Sequence, residues 1–232
     1  MTPPETARAD TAAATAATAS TRDAILDAAE RTFASRGFTA TTIKHLAAEA
    51  GVNTALLYYY FADKETLYRE MLRRLVTRFA AQLSQQMQGA ASPEEALRRF
   101  SAMQAEVLID VPHLPTLLVR ELVDFHAEHA EEQIAHIAAT AFKTLCGVIE
   151  RGQREGRFRT DLDARFAAIS VVSQVAYMGI ARPAVGILLG GGLGSVTPEM
   201  MRDFARHAAD FTLAALAAPK PAPRKASRKG RK

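Results

Sequence analysis

The sequence predicts an all-α protein, a small three-helix head followed by a larger helical body. Three observations carry that reading. From Thr21 to about Ala217 apolar residues recur at three- and four-residue spacing. Ser, Thr, Asn and Asp precede these runs, and Gly and Pro close or separate them, as helix ends require. No stretch alternates with a period of two for long enough to make a strand.

The elements follow in chain order. Residues 1–20 are Thr/Ala-rich with almost no large apolar group, so a disordered segment is expected, because little burial offsets the entropy of ordering. In TRDAILDAAERTFASRGF, Leu26, Ala29 and Phe33 form a helical stripe that Ile25 and Ala28 widen; Gly37 closes the helix and Phe38 folds back onto it. In TATTIKHLAAEAG, Thr41 or Thr42 caps the N-terminus, Ile43, Leu46, Ala47 and Ala50 face inward, and Gly51 ends the helix. Asn53 caps the short run TALLYYY, and Asp63 starts a long helix whose Leu67, Met71, Leu75 and Phe79 recur every fourth position.

Beyond Gly89, Ser92-Pro93-Glu94-Glu95 has the cap, first-turn proline and early acids of a helix start. DVPHLP breaks the pattern, and helix resumes from Thr116 to about Glu155 with an interruption near His126 to Ala130. GRFRTDLD is a loop, a helix covers roughly Asp163 to Ala181, GGGLGS is a flexible connector, and a last helix runs from about Pro198 to Ala217. The expected organisation is a disordered segment at 1–20, a three-helix head at 21–68, a larger helical body at 69–218 and a basic disordered tail at 219–232.

Composition narrows the classes. The 232 residues are 48% hydrophobic, enough for a sizeable core. The single cysteine, Cys146, rules out an internal disulfide framework and suits a reducing compartment, so a cytoplasmic location is expected. The N-terminus has no charged leader followed by an apolar core. Phe166 to Leu189 is interrupted by Ser170, Ser173, Gln174, Arg182 and Pro183, which favours a buried helix over a membrane span. The formal +4 is the tail's +7 set against −3 for the rest, so the pI of 9.4 belongs to the tail and not to the fold. That tail is read equally as a solvated segment and as a sequence-independent attraction to DNA.

The informative stretch is GVNTALLYYYF. A capped helix, a tight Ala-Gly-Val turn and a second short capped helix make a helix-turn-helix whose second helix can enter a major groove. Wound at 100° per residue with Leu57 inward, that helix turns Phe61 inward as well, and sends Ala55 and Tyr59 outward with Leu56 and Tyr58 beside them. Tyr60 sits at the rim. Exposed tyrosine hydroxyls donate to phosphate oxygens, and Thr42 and Lys64 can do the same from either side. Ala55 and Leu56 offer apolar contact to a thymine methyl; Asn53 and Thr54 are the polar candidates for base edges. The competing reading is that three aromatics at a helix end simply pack a small domain.

The residues ILDAAERTFASRGF, TTIKHLAAEAGV, LLYYYF and DKETLYREML, within Ile25 to Leu72, resemble the N-terminal DNA-binding domain of the TetR/AcrR family of transcriptional regulators. The resemblance implies a homodimer on a palindromic double-stranded operator, with a helical body that binds a small effector and releases DNA. It implies DNA contacts at Thr42, Lys44, Thr54, Ala55, Tyr58, Tyr59, Tyr60 and Lys64. It implies no catalysis and no cofactor. Two positions depart from the family's pattern. Ala55-Leu56 stands where many members have Gly-Thr, so the operator cannot be borrowed from relatives, and Tyr60 replaces a common His.

Weaker signals remain. His129, Glu132 and His136 at i, i+3, i+7 line one helix face; a solvated polar face is favoured there over a metal site, although a metal-responsive repressor is the alternative reading. A helical ligand carrier or enzyme with a vestigial head is a third. LLGGGLGS lacks the Lys-Ser/Thr of a phosphate loop. Met103, Phe125, Phe142, Tyr177 and Met178 are candidates for an apolar effector pocket, with ordinary core the competing role. By the family analogy, Ile169, Val172, Val175 and Ala176 with Phe204, Ala208, Phe211 and Leu213 are candidates for a dimer interface, or for intramolecular core.

Overall fold

A computed structural model describes the backbone of residues 5–218 and the side chains from Ser20 to Ala218. The basic tail therefore lies outside the described residues. The head begins in α1 (Glu5–Ala40) and continues through α2 (Ile43–Ala50) and α3 (Thr54–Tyr60) into the start of α4 (Lys64–Met87). The body comprises the rest of α4 with α5 (Pro93–Asp110), α6 (Leu114–Asp124), α7 (Glu131–Ile137), α8 (Lys143–Arg154), α9 (Ala164–Ile180), α10 (Arg182–Leu188) and α11 (Pro198–Leu216). Among the described residues the sole β pairing is one isolated bridge, Phe158 with Ala217.

The caps at Thr42, Asn53, Asp63 and Ser92 form as the sequence predicts, and Asp163 and Thr197 add two more. Side chains of Thr42, Asn53, Asp63, Ser92, Asp163 and Thr197 each accept from a backbone N–H in the first turn of their helix. Each supplies one partner that the first turn otherwise lacks. Gly37 takes φ +77°, and Phe38 turns back so that its ring stacks on Phe33 at 5.9 Å.

The expected disordered segment at 1–20 lies almost wholly outside the residues whose side chains are described. One expectation fails: the glycine-rich connector is not loose. Gly191 and Gly192 donate to Gly186 O at 3.0 and 3.2 Å, and Ser195 Oγ donates to Gly192 O at 2.9 Å. Left-handed Gly190, Gly192 and Gly194 permit that closure.

One core joins α1 to α4 and the ends of α5 and α6 around Phe33, Leu46, Leu57, Phe61 and Tyr68. A second lies among α4, α5, α8, α9 and α11, and a third joins α5 and α9 to α10 and α11. Because α4 contributes to the first two, head and body share a rigid element and not a hinge loop.

Candidate nucleic-acid interface

The turn between α2 and α3 is fixed by short-range bonds. Thr42 Oγ1 accepts from His45 N at 3.2 Å, and His45 Nδ1 accepts from Thr42 N at 3.3 Å, a reciprocal capping box. Gly51 closes α2 in the left-handed region at φ +67°, with Val52 N donating to Ala47 O at 2.9 Å. Asn53 Oδ1 then accepts from Leu56 N at 2.8 Å and starts α3.

Leu57 is fully buried and Phe61 1% exposed, which pins the inner side of α3. The outer side consequently carries exposed Ala55 and Thr54, with Tyr58 at 53% and Tyr59 at 76% exposure. Leu56 is half-buried. Tyr60 packs against the head core and meets the Tyr59 ring edge-on at 5.1 Å. The three tyrosines thus divide into one support and two presented hydroxyls. Thr42 and Lys44 are exposed on α2 and its cap.

Lys64 sits differently from its neighbours in that set. Its Nζ donates to Phe38 O and Thr41 O, both at 3.0 Å, and lies 4.3 Å from the Phe38 ring centroid. Two of its three N–H groups are therefore spent on the end of α1, and the side chain acts first as a strut between α1 and α4. Asp63 beside it accepts from Thr66 N at 2.7 Å, a bond that holds its carboxyl below the usual range.

Behind this surface lies a buried joint that sequence reading did not single out. Glu121 of α6 is 1% exposed; its Oε2 accepts from Tyr68 Oη at 3.0 Å and its Oε1 from His129 N at 2.7 Å. Rings of Phe38, Tyr68, Phe125 and His129 surround it, with centroids 4.6–5.5 Å apart. Burial first, and the Glu121 carboxylate next, push the Tyr68 phenol up. A signal existed: Leu114, Leu117 and Glu121 share one helical stripe, and an acid on an apolar stripe requires buried donors.

The histidine face does not form. His129 lies in the turn before α7, where His126 and Ala127 take positive φ, and it is buried against Phe125 and Tyr68. Glu132 and His136 are exposed on α7, and no group of three potential ligands gathers among the described residues. The break in the helix destroys the i, i+3, i+7 register.

The five pocket candidates are likewise dispersed. Phe125 belongs to the joint, Phe142 packs on the second core, Met178 is buried in the third, and Tyr177 is 57% exposed. Met103 lines a groove of about 400 Å³ between α4 and α5. Its floor is Leu75, Phe79, Met103 and Val107, and Arg78, Gln82, Glu106 and Asp110 supply polar groups. Of the interface candidates, Val175, Ala208 and Leu213 are buried in the protein's own core, whereas Ile169 and Phe211 are 54% and 63% exposed. Cys146 is buried in the second core, where burial pushes its thiol up. Among the described residues no single helix is long and apolar enough to cross a membrane.

Comparisons with known proteins agree with this geometry. Residues 25–71 match the family model described as bacterial regulatory proteins, tetR family, and residues 93–211 match that of the tetracyclin repressor-like C-terminal domain. The chain is 32% identical over 155 residues to the HTH-type transcriptional repressor NicS of Pseudomonas putida, covering 66% of this chain and 73% of that protein. The fold is similar to that of FadR from Bacillus subtilis, solved with stearoyl-CoA, at a TM-score of 0.68 and 18% identity over 83% of this chain and 98% of that one. It is also similar to AibR, solved with isovaleryl coenzyme A and operator DNA, at a TM-score of 0.61 and 22% identity over 86% of this chain and all of that one.

Proposed function

The chain belongs to the TetR family of bacterial regulatory proteins, and from that premise we propose that it is a cytoplasmic homodimeric repressor whose exposed α3 face holds a palindromic operator. The observation that carries this is the split of the tyrosines: Leu57 locks α3, and Tyr58 and Tyr59 stand out with free hydroxyls. In this reading Tyr58, Tyr59, Thr42 and Lys44 anchor phosphates, Ala55 and Leu56 meet thymine methyls, and Asn53 and Thr54 reach base edges through groups not used in capping. Tyr60 and Lys64 position that surface from behind. The head spans 21–68 and the body 69–218. NicS is a transcriptional repressor, which supports reading this chain as a regulator and not an enzyme.

The test is fluorescence anisotropy on a selected operator and on variants of it. Tyr59→Phe and Lys44→Ala are expected to weaken binding by about tenfold with no change in base preference, because phosphate contacts carry no sequence information. A switched preference would reassign the altered residue to base readout.

The effector is inferred to be a molecule with a large apolar part, seated on Leu75, Phe79, Met103 and Val107 with Arg78 and Gln82 fixing a polar end. Coenzyme A thioesters are the first class to try, since FadR and AibR were solved with them. The groove's α4 wall runs directly into the head, so an occupant that prefers one α4 position shifts the equilibrium between binding and released states. Operator release should be measured in parallel against isovaleryl-CoA, stearoyl-CoA, free fatty acids and divalent metals. Met103→Trp should raise the required effector concentration about tenfold or more while ligand-free operator binding stays unchanged. Release by metal alone would remove the apolar-groove reading.

A further inference from the structure

The segment from Arg182 to Ser195 offers an apolar surface that no described residue of the chain covers. Between Arg182 and Glu199 the sequence has no charged side chain. α10 leaves the end of α9 at a bend of 84°. It buries Val185 and Gly186 against the body and turns Ile187, Leu188 and Leu189 outward, at 58%, 77% and 60% exposure. Leu193, 76% exposed, completes the tip.

This tip is built. Besides the closing hydrogen bonds described above, a Cβ placed on Gly186 would collide with Gly192 O and come within 2.7 Å of Ser195 Oγ. Arg182 Nη2 ties the base of the arm to Val196 O at 3.4 Å. A closed loop that holds leucines outward is ordered before any partner arrives, which lowers the entropy cost of association.

We propose that this arm is a dimer-forming element, docking on a second copy of the chain as a continuation of the α9/α11 face. The proposal rests on the homodimer reading above. Continuity is the first argument: exposed Phe166, Ile169, Tyr177 and Ile180 form one stripe along α9, which ends where α10 begins. Area is the second. The exposed parts of these four side chains and Phe211 amount to about 600–700 Å² per protomer, below the ~800 Å² of a standard interface and well below obligate homodimers. The four side chains of the arm add about 500 Å² and bring the total into the range of a stable dimer. A lipid-binding tip would be expected to carry several basic residues beside its leucines, and here Arg182 alone flanks them, already turned to Val196.

Sedimentation velocity over a dilution series tests this with the full chain. Leu188→Asp/Leu189→Asp is expected to raise the dimer dissociation constant at least about 100-fold and to make operator binding second order in protein, with melting of the diluted monomer by circular dichroism as the folding control. Leu193→Asp alone should give a smaller shift in the same direction. A dissociation constant within about threefold of the parent for both variants overturns the proposal. Loss of binding to vesicles of equal phosphatidylcholine and phosphatidylglycerol, with dimerisation intact, would overturn it in favour of a membrane contact. Phe166→Asp/Phe211→Asp tests the continuity: it should weaken the dimer as the arm variants do, and a dimer left intact by this pair would overturn the arm as a continuation of the α9/α11 face.

Discussion

Glu121→Ala is expected to cost about 3–5 kcal/mol of stability, which lowers the melting temperature by about 6–20 °C for a chain of this size. The carboxylate is buried and serves two donors, Tyr68 Oη and His129 N, that have no water to turn to. Alanine leaves both donors unmet and opens a void among four rings. Glu121→Gln keeps the volume and one acceptor, so its loss should be smaller, about 1–3 kcal/mol. Thermal melts of the two variants beside the parent check this. A shift of under about 2 °C for the alanine variant would mean that the joint contributes little to stability. Well below its melting point the alanine variant should still bind operator, since no DNA-facing residue is altered, but effector release should weaken because α6 no longer holds α4.

Phe61→Ala should have the largest effect on operator affinity, a loss of at least about 100-fold, driven by about 3–5 kcal/mol of lost core packing. The ring is 1% exposed, closes α3, and lies under the Arg22 guanidinium at 5.1 Å. The head has a small core, and α3 is a seven-residue helix that could not persist without tertiary support. Its removal from the core disperses the whole DNA-facing set, so the fall should far exceed that of Tyr59→Phe. Anisotropy titrations of both variants at one salt concentration decide the ordering; equal losses would show that α3 is held in place without Phe61.

What was legible in the sequence was local. Thr42, Gly51, Asn53 and Asp63 specify their caps and turns through neighbours within four residues, so the helix-turn-helix and the split of its tyrosines follow from pattern alone. The body resisted wherever one irregular residue resets helical phase. His126 and Ala127 at positive φ end the continuity that would have aligned His129 with His136, and a π-helical turn at Ala138–Phe142 shifts everything after it. Phe125 lies at the first of these points and Phe142 at the second, while Tyr177 is exposed on α9, so the three do not meet. Glu121 was missed for another reason: its partners lie 53 residues before it and 8 after it. The closed glycine tip likewise depends on a backbone path that flexible residues permit but do not announce.

The uninterrupted course of α4 fixes how little movement regulation requires. From Leu75, at the groove, to Lys64, at the head, the helix spans roughly 16 Å at 1.5 Å per residue. A tilt of about 7° about the groove displaces the head by roughly 2 Å, and two heads moving in opposite senses change their separation by roughly 4 Å. That is about one base-pair step of 3.4 Å, or roughly a tenth of a helical turn. The two recognition helices then address different angular sectors of the duplex, and at most one can remain in register with its groove. In the proposed repressor, such a tilt would release DNA by a change of helical phase, without unfolding any part of the head.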